Sequence, residues 1–471
     1  MENKSGIGKW SLVALVISSS LGSGVFGITS DLARSSAVGP VMLSWIIVGI
    51  GILSLILSLN NLGEKRADIN GGIFGYGTEL FGPIGGFISG WGYWLSGWLG
   101  QVAFATMLMS AIGEFFPIFK GGQNVPSIIF ASIVIWALTY LVNKGVESAS
   151  IINTIVTLAK LVPLFVFIII MIVSFEVDVF KADFLTNIVG NMKQSQGNTG
   201  IWLQMKSCLM VMMWVFVGIE GATVLSRRAK KRSDAQIASI IGLLSLLVIY
   251  IFASVLPYGV LSQAELATME QPAMANILKS VVGEWGAILI NLGLITSILG
   301  CWLSWTMLPA ETTMLMAKEK LLPKKWGRVN KKNAPTYSLI CAGALTNLFL
   351  LTFLFTDYAY EFAYSMCTAS ILVCYLLVSM YQVKYSYQHK DNKQLLIGLV
   401  AVIFEACGII LAGYQYLLIC SIAYVPGFLF YYIAKKEKNS RINRKEKGVI
   451  LIITLIAVYS LIMIFTGNIN V

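Results

Sequence analysis

Stretches of about 20 residues with few or no charges recur along the whole chain, and each is long enough for a helix to cross a ~30 Å hydrocarbon core. They fall at about 11–33, 40–62, 82–113, 126–143, 150–174, 203–226, 236–260, 282–318, 337–355, 360–383, 395–413, 415–434 and 449–467. The third and eighth exceed 30 residues, so they must tilt, bend or extend into water. Of the 471 residues, 57% are apolar and only 12% charged, with a mean hydropathy of +0.77. A water-soluble chain carries about 25% charged residues, so this one cannot cover itself with a water-compatible surface. The expected fold is an all-α integral membrane bundle of about 12–13 transmembrane helices, forming one domain over 1–471.

The net charge of +11 does not signal nucleic-acid binding, because of where it sits. Of the 34 lysines and arginines, 27 fall in the N-terminal segment and in alternate connectors, notably the run Arg227 to Arg232. The other connectors hold only Arg34, Lys120, Lys181, Lys193, Lys206 and Lys279, and Lys160 lies inside a span. This asymmetry places the basic loops and the N-terminus on the cytoplasmic side of the cell membrane, and the tail 467–471 outside. Residues 176–200 form the longest non-basic connector and read as an outer loop. The seven cysteines all lie in apolar runs without metal spacing and read as small buried hydrophobes. No cleavable signal is expected, since the first apolar run is itself long enough to span.

Two spans are interrupted. The first contains Ser18-Ser19-Ser20-Leu21-Gly22-Ser23-Gly24-Val25-Phe26-Gly27 at mid-membrane depth. Each glycine costs a helix interior about 1 kcal/mol relative to alanine. Unwound backbone survives in lipid only where protein or a water-lined cavity satisfies it. The sixth span carries Gly218-Ile219-Glu220-Gly221, with an acid at depth. The two breaks lie five spans apart, an odd number, so a second five-helix half would insert upside down. That predicts a five-plus-five inverted-repeat transporter core with discontinuous helices 1 and 6, its repeats near 11–174 and 203–383 and accessory helices over 395–467. The second half of helix 1 would present free N–H groups and a positive dipole end to a carboxylate, with Ser20 and Ser23 adding hydroxyls. The α-amino group would face carbonyls released at the helix 6 break. The match of Gly22, Gly24 and Gly27 to a dinucleotide fingerprint is accidental, because no strand precedes it and no acid follows at the required distance.

Ionisable residues inside a membrane are costly and mark function. Glu220 is read as a proton relay, a substrate counter-charge or a partner of the unwound segment. Lys160 would place an ammonium near the first break, where sodium sits in ion-coupled transporters. Glu311 and Glu405 are weaker candidates, and His389 lies in a connector. Trp214, Trp302 and Trp305 lie at mid-depth, where aromatic rings pack the core or hold a cationic side chain.

At these residues the chain resembles the amino acid–polyamine–organocation superfamily, and within it the basic amino acid/polyamine antiporters. The likeness is carried by Gly22-Ser23-Gly24-Val25-Phe26, by Tyr93-Trp94-Leu95-Ser96-Gly97-Trp98-Leu99-Gly100-Gln101, by Trp214-Val215-Phe216-Val217-Gly218-Ile219-Glu220, and by Trp305-Thr306-Met307-Leu308. It implies an inverted-repeat fold and exchange of an imported amino acid for an exported metabolic product. It implies substrate contacts at Ser20, Gly22, Ser23, Gly24, Tyr93, Gln101, Trp214, Val217, Gly218 and Trp305, with Glu220 and Lys160 coupling or gating. In the arginine/agmatine exchangers the residue matching Trp214 stacks on the substrate and that matching Trp305 lines the cavity. Gln101 stands where those exchangers usually have asparagine, which makes agmatine a doubtful substrate. The stretches around 91–101 and 226–234 look closer to arginine/ornithine antiporters, and histidine/histamine exchangers look similar too.

The expected function is therefore antiport, by alternating access, of arginine, histidine or lysine against ornithine or a decarboxylation amine such as histamine. Proton-coupled amino-acid uptake is the alternative. A membrane enzyme is disfavoured, since the chain has one histidine, no H-E-x-x-H and no Walker A loop. A channel is disfavoured because no span carries a ring-forming acidic or filter motif. The expected partners are amino-acid and amine substrates, the lipid bilayer and at most a second copy of the chain in a homodimer. No nucleic acid, metal or cofactor is expected.

Overall fold

The computed structural model describes residues 6–69, 71–182, 184–185, 200–355, 359–412 and 414–466. The expected outer tail 467–471 and most of the expected outer loop (183 and 186–199) lie outside the described residues. Among those described there is no strand, only an isolated bridge between Ile7 and Ala229.

The first apolar run folds as two helices, α1 (Lys9–Ser20) and α2 (Gly24–Ala33), bent by 43° where the glycines and serines interrupt them. Next come α3 (Val38–Lys65), a short α4 (Ile73–Phe81), α5 (Pro83–Gly113), α6 (Val125–Asn143), α7 (Val146–Val173) and a short α8 (Val177–Ala182). The sixth run is again two pieces, α9 (Ile201–Trp214) and α10 (Gly221–Val224), separated by turns. There follow α11 (Arg232–Val255), the short α12 (Gln263–Thr268) and α13 (Ala273–Val282), α14 (Glu284–Lys318) and α15 (Thr336–Leu350). The chain then runs through α16 (Ala359–Gln388), α17 (Asn392–Ala412), α18 (Tyr414–Glu437) and α19 (Arg444–Phe465). Eleven of these helices are long and apolar enough to cross a membrane, and the bent α1–α2 pair makes a twelfth. The interrupted sixth run accounts for the thirteenth expected span, because neither α9 nor α10 is long enough alone.

Two features recur in both halves of the chain. Helices α5 and α14 are each preceded by a short helix that ends on a glycine in the same conformation. These are Gly82 at φ +76°, ψ −167° and Gly283 at φ +88°, ψ −169°. The packing recurs too: α16 lies on α5 as α7 lies on α14, and α1 lies on α11 as α9 lies on α3.

Between helices in lipid the hydrophobic effect is weak, so close packing of small residues does most of the holding. The long helix α5 uses its glycines for this. A Cβ built on Gly97 would lie 2.1 Å from Pro309 Cγ of α14, and one on Gly90 would lie 2.3 Å from Met316 Sδ. Side chains of α14 therefore pack directly onto the glycine backbone of α5, and these two helices, with α16, are the most deeply buried of the long spans. At the other extreme, α19 packs chiefly on α18 and is 11% buried along its apolar stretch, against 78% for α5. Its bulk is a lipid-facing accessory.

Gly97→Val should lower stability by about 1–3 kcal/mol, the usual cost of overpacking. Thermal unfolding in detergent would check it; an unchanged transition would mean that the two helices separate freely.

Candidate substrate site

The first break leaves the carbonyls of Ser18 to Gly22 without their helical N–H partners, and side chains from three other helices take them. Lys160 Nζ of α7 lies 2.7 Å from Leu21 O, 3.2 Å from Ser18 O and 3.2 Å from Ser18 Oγ. Trp305 Nε1 of α14 donates to Ser19 O at 2.9 Å. The Tyr250 hydroxyl of α11 lies 3.0 Å from Ser20 O, and Ser297 Oγ of α14 lies 2.8 and 2.9 Å from Leu21 O and Gly22 O. Ser18 Oγ in turn donates to Asn153 Oδ1 at 2.9 Å, which also accepts from Ser304 Oγ at 3.1 Å. Lys160 is fully buried, and among the described residues its partners are these three oxygens and no carboxylate. In a dry interior an unpartnered carbonyl or ammonium is expensive, so each satisfies the other.

The donors of the break stay open. Gly22 N bonds back to Ser20 O at 2.9 Å and Phe26 N to Ser23 O at 3.0 Å. Among the described residues no acceptor takes the N–H groups of Ser23, Gly24 or Val25, the first turn of α2. Ser20 Oγ is buried and also unpartnered, whereas Ser23 Oγ lies 2.5 Å from Met107 Sδ.

The second break meets the first. Val215 to Glu220 form turns, with Gly218 at φ +102°, and a Cβ there would sit 2.5 Å from Ser19 O. Only glycine suits both the conformation and the approach. Ser19 Oγ donates to Gly218 O at 2.7 Å, and Gly218 N donates to the Tyr375 hydroxyl at 3.2 Å. That hydroxyl donates to Glu220 Oε2. Glu220 is fully buried, with Tyr93 beside the same carboxyl. Glu220 Oε1 and the Tyr93 hydroxyl make no hydrogen bond among the described residues. The Val215 carbonyl is reached by Tyr250 at 2.8 Å, while the Val217 carbonyl accepts none among the described residues.

Between the breaks lies a cavity. Of the residues singled out in the sequence, Ser20, Gly22, Ser23, Gly24, Trp214, Val217 and Trp305 line it. Gly218, Glu220, Tyr93 and Lys160 are not in its lining and support it from behind. Gln101 is not in the lining either: its Nε2 is 3.3 Å from Trp305 O and its Oε1 is 3.4 Å from Trp302 Nε1, so it braces α14 against α5. The rest of the cavity wall is formed instead by Phe104 and Met107 with Cys301 and Cys367, besides Gly100 and Ala103. Gly100, Ala103, Phe104 and Met107 follow the i, i+3, i+4, i+7 spacing of one helix face, a signal the sequence contains. Tyr250, Ser297 and Tyr375 had no such signal, being single polar residues in apolar spans.

Ser23, Gly24, Met107 and Trp214 are shared between the cavity and a larger vestibule, which Asp31, Glu114, Gln123 and Gln271 also line. The opposite side is shut. There Ile7 pairs with the backbone at Ala229, while buried Arg228 reaches Glu311 Oε2 at 2.8 Å, Glu147 Oε1 at 2.9 Å and Asn333 O at 2.8 Å. Glu311 thus belongs to a seal of ion pairs and is not in the cavity lining.

Residues 7–412 match the amino acid permease family, which is most of the chain. This protein belongs to that family. Within it, the chain stands among the basic amino acid/polyamine antiporters. It is 58% identical to the arginine/ornithine antiporter of Latilactobacillus sakei over 463 residues, covering 98% of this chain and 96% of that one. An arginine/ornithine antiporter of Lactococcus lactis is 44% identical, covering 99% of this permease and 91% of the relative. An arginine/agmatine antiporter of Chlamydia caviae is 37% identical, covering 100% and 99%. The permease is thus a multi-pass membrane protein of a family of amino acid permeases.

Replacing Lys160 with methionine leaves Ser18 O without a donor, and each orphaned buried carbonyl costs about 1–3 kcal/mol. Lys160→Met should therefore lower the unfolding temperature in detergent. A variant as stable as the parent would show that the ammonium is not what holds the break.

Proposed function

We propose that this permease exchanges external arginine for internal ornithine across the cell membrane by alternating access, without chemical conversion. The observation that carries the reading is that backbone groups without partners belong to residues lining one cavity. On one side are the N–H groups of Ser23 and Gly24; on the other is the Val217 carbonyl. A free α-amino acid supplies the complement of both, its carboxylate to the helix N-terminus and its ammonium to the carbonyl. Trp214 and Trp305, with Phe104, offer aromatic faces to a cationic side chain, which suits a guanidinium or a second ammonium. The names of the relatives at 58% and 44% identity support arginine and ornithine over histidine and histamine.

The two glycine-ended helices before α5 and α14, together with the five-span offset, support inverted repeats near 11–174 and 203–383, with accessory helices over 395–467. The basic connectors support a cytoplasmic N-terminus and a cytoplasmic Arg228 seal. The vestibule then faces outside, and the structure corresponds to the outward-facing half of the cycle. Inward opening requires the Arg228–Glu311–Glu147 contacts and the Ile7 bridge to part, while Trp214 closes on the outer mouth. A homodimer is the assembly such a bundle would form, one pathway in each copy.

Liposomes preloaded with ornithine should take up labelled arginine, and empty liposomes should not. Histamine or agmatine inside should support far slower uptake. Entry into empty vesicles under a pH gradient alone would overturn exchange in favour of proton-coupled uptake. Ser23→Leu would fill the carboxylate seat and is expected to abolish arginine binding measured by calorimetry; wild-type binding would refute that placement.

A further inference from the structure

The basic run Arg227 to Arg232 follows directly on the broken sixth span, and its members do different things. Arg228 turns inward to Glu311 and Glu147, and Ala229 is clipped to Ile7. Arg232 gives one nitrogen to Ala67 O and another to Ile69 O at 3.3 Å, leaving further N–H groups free. Arg227 is exposed and makes no hydrogen bond or ion pair among the described residues. Both Arg227 and Arg232 line a cavity between the ends of α3, α10 and α11. Asn60, Gln236, Thr223, Ser226 and Tyr76 complete its polar wall, and no Asp or Glu is in the lining. Asn60 and Gln236 already hold α3 to α11 through each other's carbonyls, Asn60 Nδ2 to Gln236 O at 3.1 Å and Gln236 Nε2 to Asn60 O at 3.2 Å. Each amide keeps a second N–H to donate.

Ile237, next to Gln236 of the cavity wall, exposes its apolar side chain, and Leu244 and Val248 continue the same exposed apolar face along α11. An occupant therefore meets two guanidinium groups and amide donors at one end and hydrocarbon alongside. Basic clusters just beyond a membrane span attract anionic lipid headgroups, and planar guanidinium forks match phosphate oxygens.

We propose that this cavity binds the phosphate of an anionic phospholipid, with Arg227 and Arg232 as the ligating side chains. The same connector carries the Arg228 seal, so an occupied site ties the headgroup layer to the segment that must move for inward opening. The reading uses the orientation proposed above only to name the leaflet, which is the cytoplasmic one.

The full-length protein in neutral detergent can be titrated with a soluble short-chain phosphatidylglycerol and followed by thermal unfolding. Phosphatidylglycerol should raise the transition, and phosphatidylcholine of the same chain length should not. Arg227→Gln should weaken the effect about five-fold, the share of one basic residue at such a surface. Lys230→Gln, exposed in the same run but outside the cavity lining, should leave it unchanged. The proposal is overturned if the two lipids act alike, if Arg227→Gln binds as the parent does, or if Lys230→Gln weakens binding equally. Inorganic phosphate binding as tightly as the lipid would overturn the assignment to a headgroup and leave a soluble anion as the ligand. The readout does not depend on which amino acids are exchanged, so its failure would leave the arginine/ornithine reading standing.

Discussion

The carbonyls set free where the first span unwinds are the groups around which the bundle is organised. In an apolar interior each one left without a donor would cost several kcal/mol, and water is not at hand to replace it. Lys160, Tyr250, Ser297 and Trp305 supply the donors, and they come from α7, α11 and α14. The break is therefore stable only when those three helices surround α1. A buried ammonium among carbonyls, with Asn153 joining Ser18 to Ser304, does here what a bound cation would do. It fixes the bend and leaves the opposite face of the backbone open.

That asymmetry produces the site. The acceptors of the first break are used up within the protein, while the donors at Ser23 to Val25 are not. At the second break most groups are taken, Gly218 by Ser19 and Tyr375, and the Val217 carbonyl is left. Glu220 and Tyr375 sit one layer behind, holding the unwound segment from the side away from the cavity. A charge placed there acts on the shape of the turn, and through it on the cavity, without itself lining the cavity.

Much of this was readable before any coordinates. Runs of apolar residues name the spans because each helix must satisfy lipid along its own length, and Gly22, Gly24 and Gly218 name the breaks because their helix penalty is local. Glu220 stood out as an acid at depth. Its partner Tyr375 lies 155 residues further on and looks like any other tyrosine in an apolar helix. Gln101 is a different case. The family resemblance implied a substrate contact there, whereas the folded chain hydrogen-bonds its amide to Trp305 and Trp302 and lines the cavity with Phe104 and Met107 of the same helix.

The amino-acid sequence by itself determined that this is a helical membrane protein, where its chain leaves the helix, and which side its charges favour. Each of these is a property of a short segment in contact with lipid or water. Only the tertiary structure decided which of the unwound groups remain free for a substrate. Satisfaction of a buried donor or acceptor depends on what stands within about 3 Å of it, and here the groups that stand there come from helices remote in the chain.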